Sequence, residues 1–105
     1  MAEKEYILKR VKDTILSIYA DSEILLYGSR ARGSASQDSD WDFLVLTELE
    51  LEYSAKRNIR NAIHALELET GEVISIIIHS KDYWCRPQNA VTPFYQNVGR
   101  ESIVI

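Results

Sequence analysis

Two aspartates, Asp40 and Asp42, flank Trp41 at the point where a polar segment meets an apolar one. Residues i and i+2 of a β-strand point to the same face, so an extended chain brings these two carboxylates together. Carboxylates that lie side by side repel each other and resist burial, and a divalent cation removes that cost. Mg²⁺ prefers carboxylate oxygens combined with substrate phosphates. The pair therefore predicts a Mg²⁺ site with Asp40 and Asp42 as its protein ligands.

A solvent-exposed turn before a strand is the competing explanation for these acids. It accounts for Asp38 and Asp40, but it accounts poorly for Asp42, which lies inside the apolar run Trp41–Leu46. An ionised side chain in such a run needs a partner that offsets its charge. The turn is therefore the weaker explanation for the acidic pair.

A glycine and a serine precede the aspartates. Gly28 and Ser29 directly follow the apolar run Ile24–Tyr27, which predicts a short buried strand. Glycine lets the backbone approach a phosphate group, and Ser29 offers a hydroxyl and a backbone N–H where anions are favoured. An ordinary turn would explain this pair taken alone. Arg30 and Arg32 lie in the same turn and carry guanidinium donors that suit phosphate oxygens, although a solvated surface pair explains them equally well.

Hydrophobic periodicity predicts the elements that must position these residues. The predicted order is helix Glu3–Ala20, strand Ile24–Tyr27, loop Gly28–Ser39 with a helical turn at Ser29–Arg32, strand Trp41–Leu46, a helix from Leu51 that ends at Gly71, strand Val73–Ile78, a turn capped by Ser80, a short helix from Thr92 and Pro93 to Gly99, and edge strand Ser102–Ile105. This order predicts an α+β fold, in which a small mixed β-sheet is flanked by helices.

Size and charge restrict the classes of function. The chain has 105 residues, so residues 1–105 are expected to form one domain. Its net charge of −4 argues against a protein that coats nucleic acid non-specifically, because such binding needs clustered Lys and Arg. Cys85, the only cysteine, excludes an internal disulfide. No apolar run approaches the roughly 18 residues of a membrane-spanning helix, and a soluble, cytoplasmic protein is expected.

The segment that carries the candidate residues resembles a known family. Gly28-Ser29, ten further residues and then Asp40-Trp41-Asp42 are similar to the G-S-x10-D-x-D motif of the minimal nucleotidyltransferases, which belong to the polymerase-beta superfamily. The preceding helix and strand, the long helix after the second strand, and the stretch from His79 to Trp84 are similar as well. The resemblance therefore covers nearly the whole chain.

The resemblance implies a reaction and a role for each candidate residue. A nucleoside monophosphate, most simply AMP from ATP, would be transferred to a hydroxyl acceptor in the presence of Mg²⁺. The implied nucleotide-binding residues are Gly28, Ser29, Arg30 and Arg32, and the implied catalytic residues and Mg²⁺ ligands are Asp40 and Asp42. Small members of this family often act beside a HEPN-type protein, as the antitoxin of a toxin–antitoxin pair, and adenylylate that partner.

One position departs from the family pattern. The family usually carries a third carboxylate on the third strand, and the aligned position here is Ser75. A neutral hydroxyl is a weaker Mg²⁺ ligand than a carboxylate and cannot replace it as a base. Glu72 lies nearby, but its place along the strand points it to the opposite face, which leaves Asp38 and Asp82 as other candidates.

Two alternative functions remain open, and the first follows from that departure. The chain could be a catalytically weakened module that binds a nucleotide or a protein partner, with Ser75 as the cause of the weakening. It could also be a small α+β domain without a nucleotide site, if the Gly-Ser and Asp pairs coincide by chance. The distance between Asp42 and the Gly28-Ser29 turn separates the last alternative from the others.

Overall fold

The computed structural model describes residues 4–36 and 38–105, and their elements follow the predicted order. They are α1 (Lys4–Ile18), β1 (Ser22–Tyr27), α2 (Ser29–Arg32), β2 (Trp41–Thr47), α3 (Tyr53–Thr70), β3 (Ile74–Ser80), α4 (Lys81–Trp84), α5 (Pro87–Ala90), α6 (Pro93–Glu101) and β4 (Ile103–Val104). Glu3, the first residue of the first predicted helix, and Gln37, in the predicted loop, lie outside the described residues.

Local chemistry explains where several elements begin and end. The backbone N–H of Gly71 donates to the Glu67 carbonyl, and Gly71 has a φ of 74°, so this glycine ends α3 as predicted. The Ser80 hydroxyl accepts a hydrogen bond of 3.1 Å from the Tyr83 N–H and caps α4, which was also predicted. The predicted helical turn at Ser29–Arg32 is confirmed as α2.

The four strands form one mixed sheet in the order β3-β2-β1-β4. β2 is parallel to β3 and antiparallel to β1, and β1 is antiparallel to β4. The predicted α+β class with a mixed sheet is therefore confirmed, and β4 is the predicted edge strand. Because β1 ends where β2 and β3 begin, the Gly28 turn and the acidic segment meet at one end of the sheet.

One side of the sheet, here named the closed face, is covered by α1 and α3. The largest residues of this face, Trp41 and Phe43, are fully buried in the main core. Members of the core from the two helices include Ile7, Val11, Ile15, Ile59, Ile63 and Leu66. These side chains recur at helical spacing, so each helix lays one apolar stripe on the sheet.

The other side of the sheet, here named the open face, is covered only in part. A small core of Leu25, Leu44, Leu46 and Val98 lies between the sheet and α6, with Phe94 and Trp84 packed against it. Phe94 lies edge-on to Tyr27, with ring centroids 5.3 Å apart. Asp42 has the same strand parity as Leu44, so its carboxylate also belongs to the open face.

Two predictions about the C-terminal third need correction. The last helix does not end at Gly99 but continues to Glu101, where the Ser102 N–H donates to the Val98 carbonyl. Glycine inside a helix costs only about 1 kcal/mol, and burial of Val98 against the sheet offsets it. The short helix α5 was missed, although Pro87 stands at its first position, where proline is favoured.

No helix within residues 4–36 and 38–105 is both long enough and apolar enough to span a lipid bilayer. This agrees with the lack of a long apolar run in the sequence.

Candidate functional site

Gly28 and Asp42 are in direct contact at the end of the sheet. A Cβ atom added to Gly28 would lie 2.7 Å from Oδ2 of Asp42, closer than Cβ contacts occur in proteins. Gly28 also has φ 76° and ψ −159°, a region of backbone conformation that is essentially restricted to glycine. Glycine is therefore required here for two independent reasons, and the turn and the acid belong to one site.

Strand pairing places three side chains in a row across the open face. Tyr27 is the register partner of Asp42 in β1, and Ser75 is the partner of Asp42 in β3. Ser75 is exposed, and it lies beside Asp42 at the position where the resemblance led us to expect a third carboxylate. Tyr27 was not among the predicted site residues, although its place two residues after the buried Leu25 gives it the parity of the site.

The electrostatic state of Asp42 depends on its surroundings. Partial burial raises the pKa of Asp42 above its ordinary value, and the negative charge of Asp40 raises it further. The first cause reflects the loss of water around the carboxylate, and the second reflects repulsion between like charges. Asp40 itself is exposed. The two negative charges therefore repel each other, a penalty that a bound cation would remove.

Ser29 and Arg32 lie in the short helix that follows the glycine turn. The Gly28 carbonyl accepts hydrogen bonds from the N–H groups of Ala31 and Arg32, both at 3.1 Å, so α2 starts directly at the turn. Ser29 is half-buried beside Gly28. The exposed Arg32 guanidinium forms an ion pair of 3.0 Å with Glu101 at the end of α6.

Arg30 occupies a different environment from Arg32. Its guanidinium donates two hydrogen bonds to the Ser39 carbonyl, at 2.9 and 3.2 Å, and lies 4.2 Å from the centre of the Trp41 ring. One of its nitrogens is also 3.9 Å from Oε2 of Glu72. Trp41 belongs to the closed face, so these contacts hold Arg30 behind the carboxylate pair. This contact of Glu72 was not predicted from the sequence, because strand parity only placed Glu72 on the face opposite Ser75.

The donor set fits a cation that shares its coordination with a substrate. Among residues 4–36 and 38–105, no three His, Cys, Asp or Glu side chains lie together as a self-sufficient metal site. Asp40 and Asp42 provide two carboxylates beside a turn that is open at Gly28, and Mg²⁺ is commonly bound by one or two carboxylates with water and phosphate oxygens. The residues present therefore fit Mg²⁺ bound together with a polyphosphate.

The sequence matches an established family over most of its length. The family model for the nucleotidyltransferase domain matches residues 8–97. A curated protein of Methanocaldococcus jannaschii, named "Putative protein adenylyltransferase MJ0604", is 30% identical over 83 residues, which are 79% of this chain and 76% of that protein. The chain is thus similar to proteins that transfer nucleotides, both in its motif and across its elements.

Solved structures share the fold. A structure described as a putative minimal nucleotidyltransferase superimposes with a TM-score of 0.64 at 24% identity, and the match covers 99% of this chain and 97% of that one. The crystal structure of a toxin–antitoxin with AMP-PNP gives a TM-score of 0.65 at 18% identity, covering 91% and 69%. The matched family model and the similar curated protein lead to one conclusion, with which the shared fold agrees: this chain belongs to the nucleotidyltransferase domain family.

Proposed function

We propose that this chain transfers AMP from ATP to a hydroxyl group of a protein partner, in a reaction that depends on Mg²⁺. The observation that carries the proposal is the contact between Gly28 and Asp42, with Asp40 close enough to raise the Asp42 pKa. A polyphosphate could approach the backbone at Gly28 while the two carboxylates face it. Family membership supplies the reaction class, and the protein adenylyltransferase relative supports AMP and a protein acceptor.

Each residue of the proposed site has a distinct task. Gly28 leaves room for the phosphates, and the hydroxyl and N–H of Ser29 donate to phosphate oxygens. Asp40 and Asp42 would hold Mg²⁺, which when bound offsets the charge of the phosphates and of the departing pyrophosphate. Arg32, exposed at the edge of the site, would add a positive charge near the triphosphate. Among the described residues, Asp42 is the acid whose carboxylate lies against Gly28.

The proposed reaction balances as a nucleotidyl transfer. The acceptor oxygen forms a bond to the α-phosphorus of ATP, the bond from that phosphorus to the β-bridging oxygen breaks, and pyrophosphate leaves. The hydroxyl proton passes to water, because Ser75 stands where the family usually has a third carboxylate and a neutral hydroxyl is no base. Phosphoryl transfer depends mainly on positioning and electrostatic stabilisation, so we expect catalysis to continue without that base.

The proposed biological setting is a toxin–antitoxin pair in the cytoplasm. The chain would be the antitoxin, a HEPN-type protein would be both toxin and AMP acceptor, and residues 1–105 would form one domain. Support comes from the similarity to the toxin–antitoxin structure with AMP-PNP. That structure is only 18% identical to this chain, so the partner is part of the proposal and not of the family assignment.

Two forms of labelled ATP distinguish the possible transfer reactions. The chain is incubated with Mg²⁺, a purified HEPN-type protein, and ATP labelled in either its α- or its γ-phosphate. We expect the α-label to enter the acceptor and the γ-label to appear in pyrophosphate. Transfer of the γ-label would contradict nucleotidyl transfer, and MgATP binding without transfer of either label would contradict the proposed reaction with this acceptor.

A substitution at Ser75 tests the explanation of the missing acid. Ser75→Asp adds a carboxylate at the register position beside Asp42. General base catalysis contributes about 10²–10⁴-fold in enzymes, so we expect the rate of AMP transfer at saturating MgATP to rise at least about tenfold. An unchanged or reduced rate, measured in the same labelled assay, would show that no base is missing at this position.

A further inference from the structure

The segment that carries Asp40 is held from behind by a cluster of three side chains. The Arg30 guanidinium lies over the Trp41 ring, at 4.2 Å from the ring centre, while it donates twice to the Ser39 carbonyl. The Trp41 indole N–H donates to Oε2 of Glu72 at 3.2 Å, and the same carboxylate oxygen is 3.9 Å from Arg30. Each member of the cluster thus contacts the other two.

The cluster is largely removed from solvent. Trp41 is 1% exposed, and the side chains of Arg30 and Glu72 are 16% and 17% exposed. In such surroundings a guanidinium that donates in a fixed plane is more weakly screened than on an open surface. Removal of one charged partner leaves the other without compensation, which costs more than the pair contributes. The three side chains therefore act as a unit.

The position of the cluster relates it to the carboxylates. Ser39, whose carbonyl accepts from Arg30, directly precedes Asp40, and Trp41 separates Asp40 from Asp42. The Trp41 backbone N–H also donates to the Val73 carbonyl at 2.9 Å. Guanidinium, indole and backbone contacts thus fix the chain on both sides of Asp40. Without these contacts, the exposed Asp40 carboxylate would be free to move away from Asp42.

We infer that Arg30, Trp41 and Glu72 form a latch that positions Asp40 against Asp42, so that Arg30 acts as a positioning residue and not as a ligand of the triphosphate. The expected effect on nucleotide binding rests on the proposed function. The structural half of the inference, the positioning of Asp40, concerns the protein alone. It replaces the role that the sequence suggested for Arg30. It also gives Glu72, on the face opposite Ser75, a task in the same site.

Hydrogen exchange in the absence of nucleotide tests the structural half. Amide exchange is measured on the full chain for the wild type, Arg30→Gln and Glu72→Gln, together with Arg10→Gln as a matched control. Arg10 forms another arginine–glutamate pair, with Glu69, between α1 and α3. We expect both latch variants to exchange at least about tenfold faster at Ser39 and Trp41, whose N–H groups donate to the Ser36 and Val73 carbonyls, and tenfold corresponds to about 1.4 kcal/mol. Arg10→Gln should remain at the wild-type rate at both amides. Unchanged exchange in the latch variants would overturn the inference.

Calorimetric titration with MgATP tests the functional half. A positioning role predicts that Glu72→Gln weakens binding about as much as Arg30→Gln, and that the double variant is no weaker than either single variant. A direct phosphate contact from Arg30 predicts instead that Glu72→Gln binds like the wild type, which would overturn the positioning role. If the wild type itself binds no MgATP, the proposed function fails, and the exchange rates still decide whether the latch exists. Urea denaturation of each variant separates these effects from a loss of the fold.

Discussion

The closed and open faces are built from the same strands but differ in how completely they are covered. Along β2, Trp41 and Phe43 point into the core beneath α1 and α3, whereas Asp42 and Leu44 point towards α6. Trp41 and Phe43 on the closed face are fully buried, as is Leu44 on the open face, whereas Asp42 is only half-buried and its β3 neighbour Ser75 is exposed. The open face is therefore less completely covered at the end that carries Asp42. Strand alternation thus supplies the carboxylate, and incomplete helical cover of the open face keeps it accessible.

The largest expected effect is on stability, when one aromatic ring is removed from each face. Phe43→Ala empties a fully buried position on the closed face, and we expect the free energy of unfolding to fall by about 3–5 kcal/mol. Phe94→Ala removes a half-buried ring on the open face, and we expect a loss below about 3 kcal/mol. Urea denaturation of both variants measures the difference. Equal losses would mean that the open face is packed as tightly as the closed one.

Two glycines with the same φ separate backbone strain from contact with Asp42. Gly28 and Gly33 both have φ 76°, but an added Cβ meets Asp42 only at Gly28 and meets nothing within 4 Å at Gly33. We expect Gly33→Ala to cost about 1–2 kcal/mol for a left-handed residue. Gly28→Ala should cost up to about 3 kcal/mol and should also abolish MgATP binding.

The controls for this comparison are contained in the pair itself. Stability is measured by urea denaturation and binding by calorimetry, at temperatures where both variants are folded. MgATP binding that survives equally in Gly28→Ala and Gly33→Ala would contradict the close approach of phosphates to Gly28. Loss of MgATP binding in both variants would show that strain in the turn as a whole, and not contact with Asp42, abolishes binding.

The smallest effect that we expect is on the pH dependence of stability, to which Asp42 and Glu69 should contribute with opposite signs. Burial and Asp40 raise the Asp42 pKa, so as pH rises above the ordinary value of 3.8 the unfolded chain releases this proton before the folded chain does, and stability falls. Asp42→Asn removes that loss and should be more stable than the wild type at pH 7. Hydrogen bonds from Arg10 lower the Glu69 pKa, so Glu69→Gln should be less stable at pH 7.

Thermal melting at a series of pH values measures both effects. The Asp42 difference should vanish as pH falls through the ordinary pKa of an aspartate, because the unfolded chain is then protonated as well, whereas the Glu69 difference should vanish only as pH falls through its lowered pKa in the folded state. A wild type that is more stable than Asp42→Asn at pH 7, in the absence of Mg²⁺, would contradict the account of a repelled and partly desolvated carboxylate.

Much of the fold and part of the site could be predicted from the sequence because both depend on local spacing. The apolar stripes of α1 and α3 and the parity of Asp42 need only a helical or a strand period. The sequence also indicated that Gly28 and Asp42 belong together, through a motif in which Asp42 lies only 14 positions after Gly28. The contact itself depends on the antiparallel pairing of β1 with β2, which the order of elements allowed but did not require.

The parts that were missed depend on contacts between distant segments. Arg30 carries the same charge as Arg32 and lies in the same turn, so composition could not separate them. Only the packing of Arg30 on Trp41 and its ion pair with Glu72, which lies beyond α3 in the chain, distinguishes the two. The extension of α6 past Gly99 likewise reflects burial of Val98 on the open face, which local propensity does not contain.

Calorimetric titration of ATP into the wild type and Asp42→Asn, with and without Mg²⁺, tests whether Asp42 takes part in binding a metal–nucleotide complex. We expect binding by the wild type that requires Mg²⁺, and a loss of at least about a hundredfold in affinity, about 2.7 kcal/mol, in Asp42→Asn with its fold intact. Binding of equal strength with and without Mg²⁺, or binding unchanged in Asp42→Asn, would contradict the claim that the carboxylate pair beside Gly28 holds the metal–nucleotide complex.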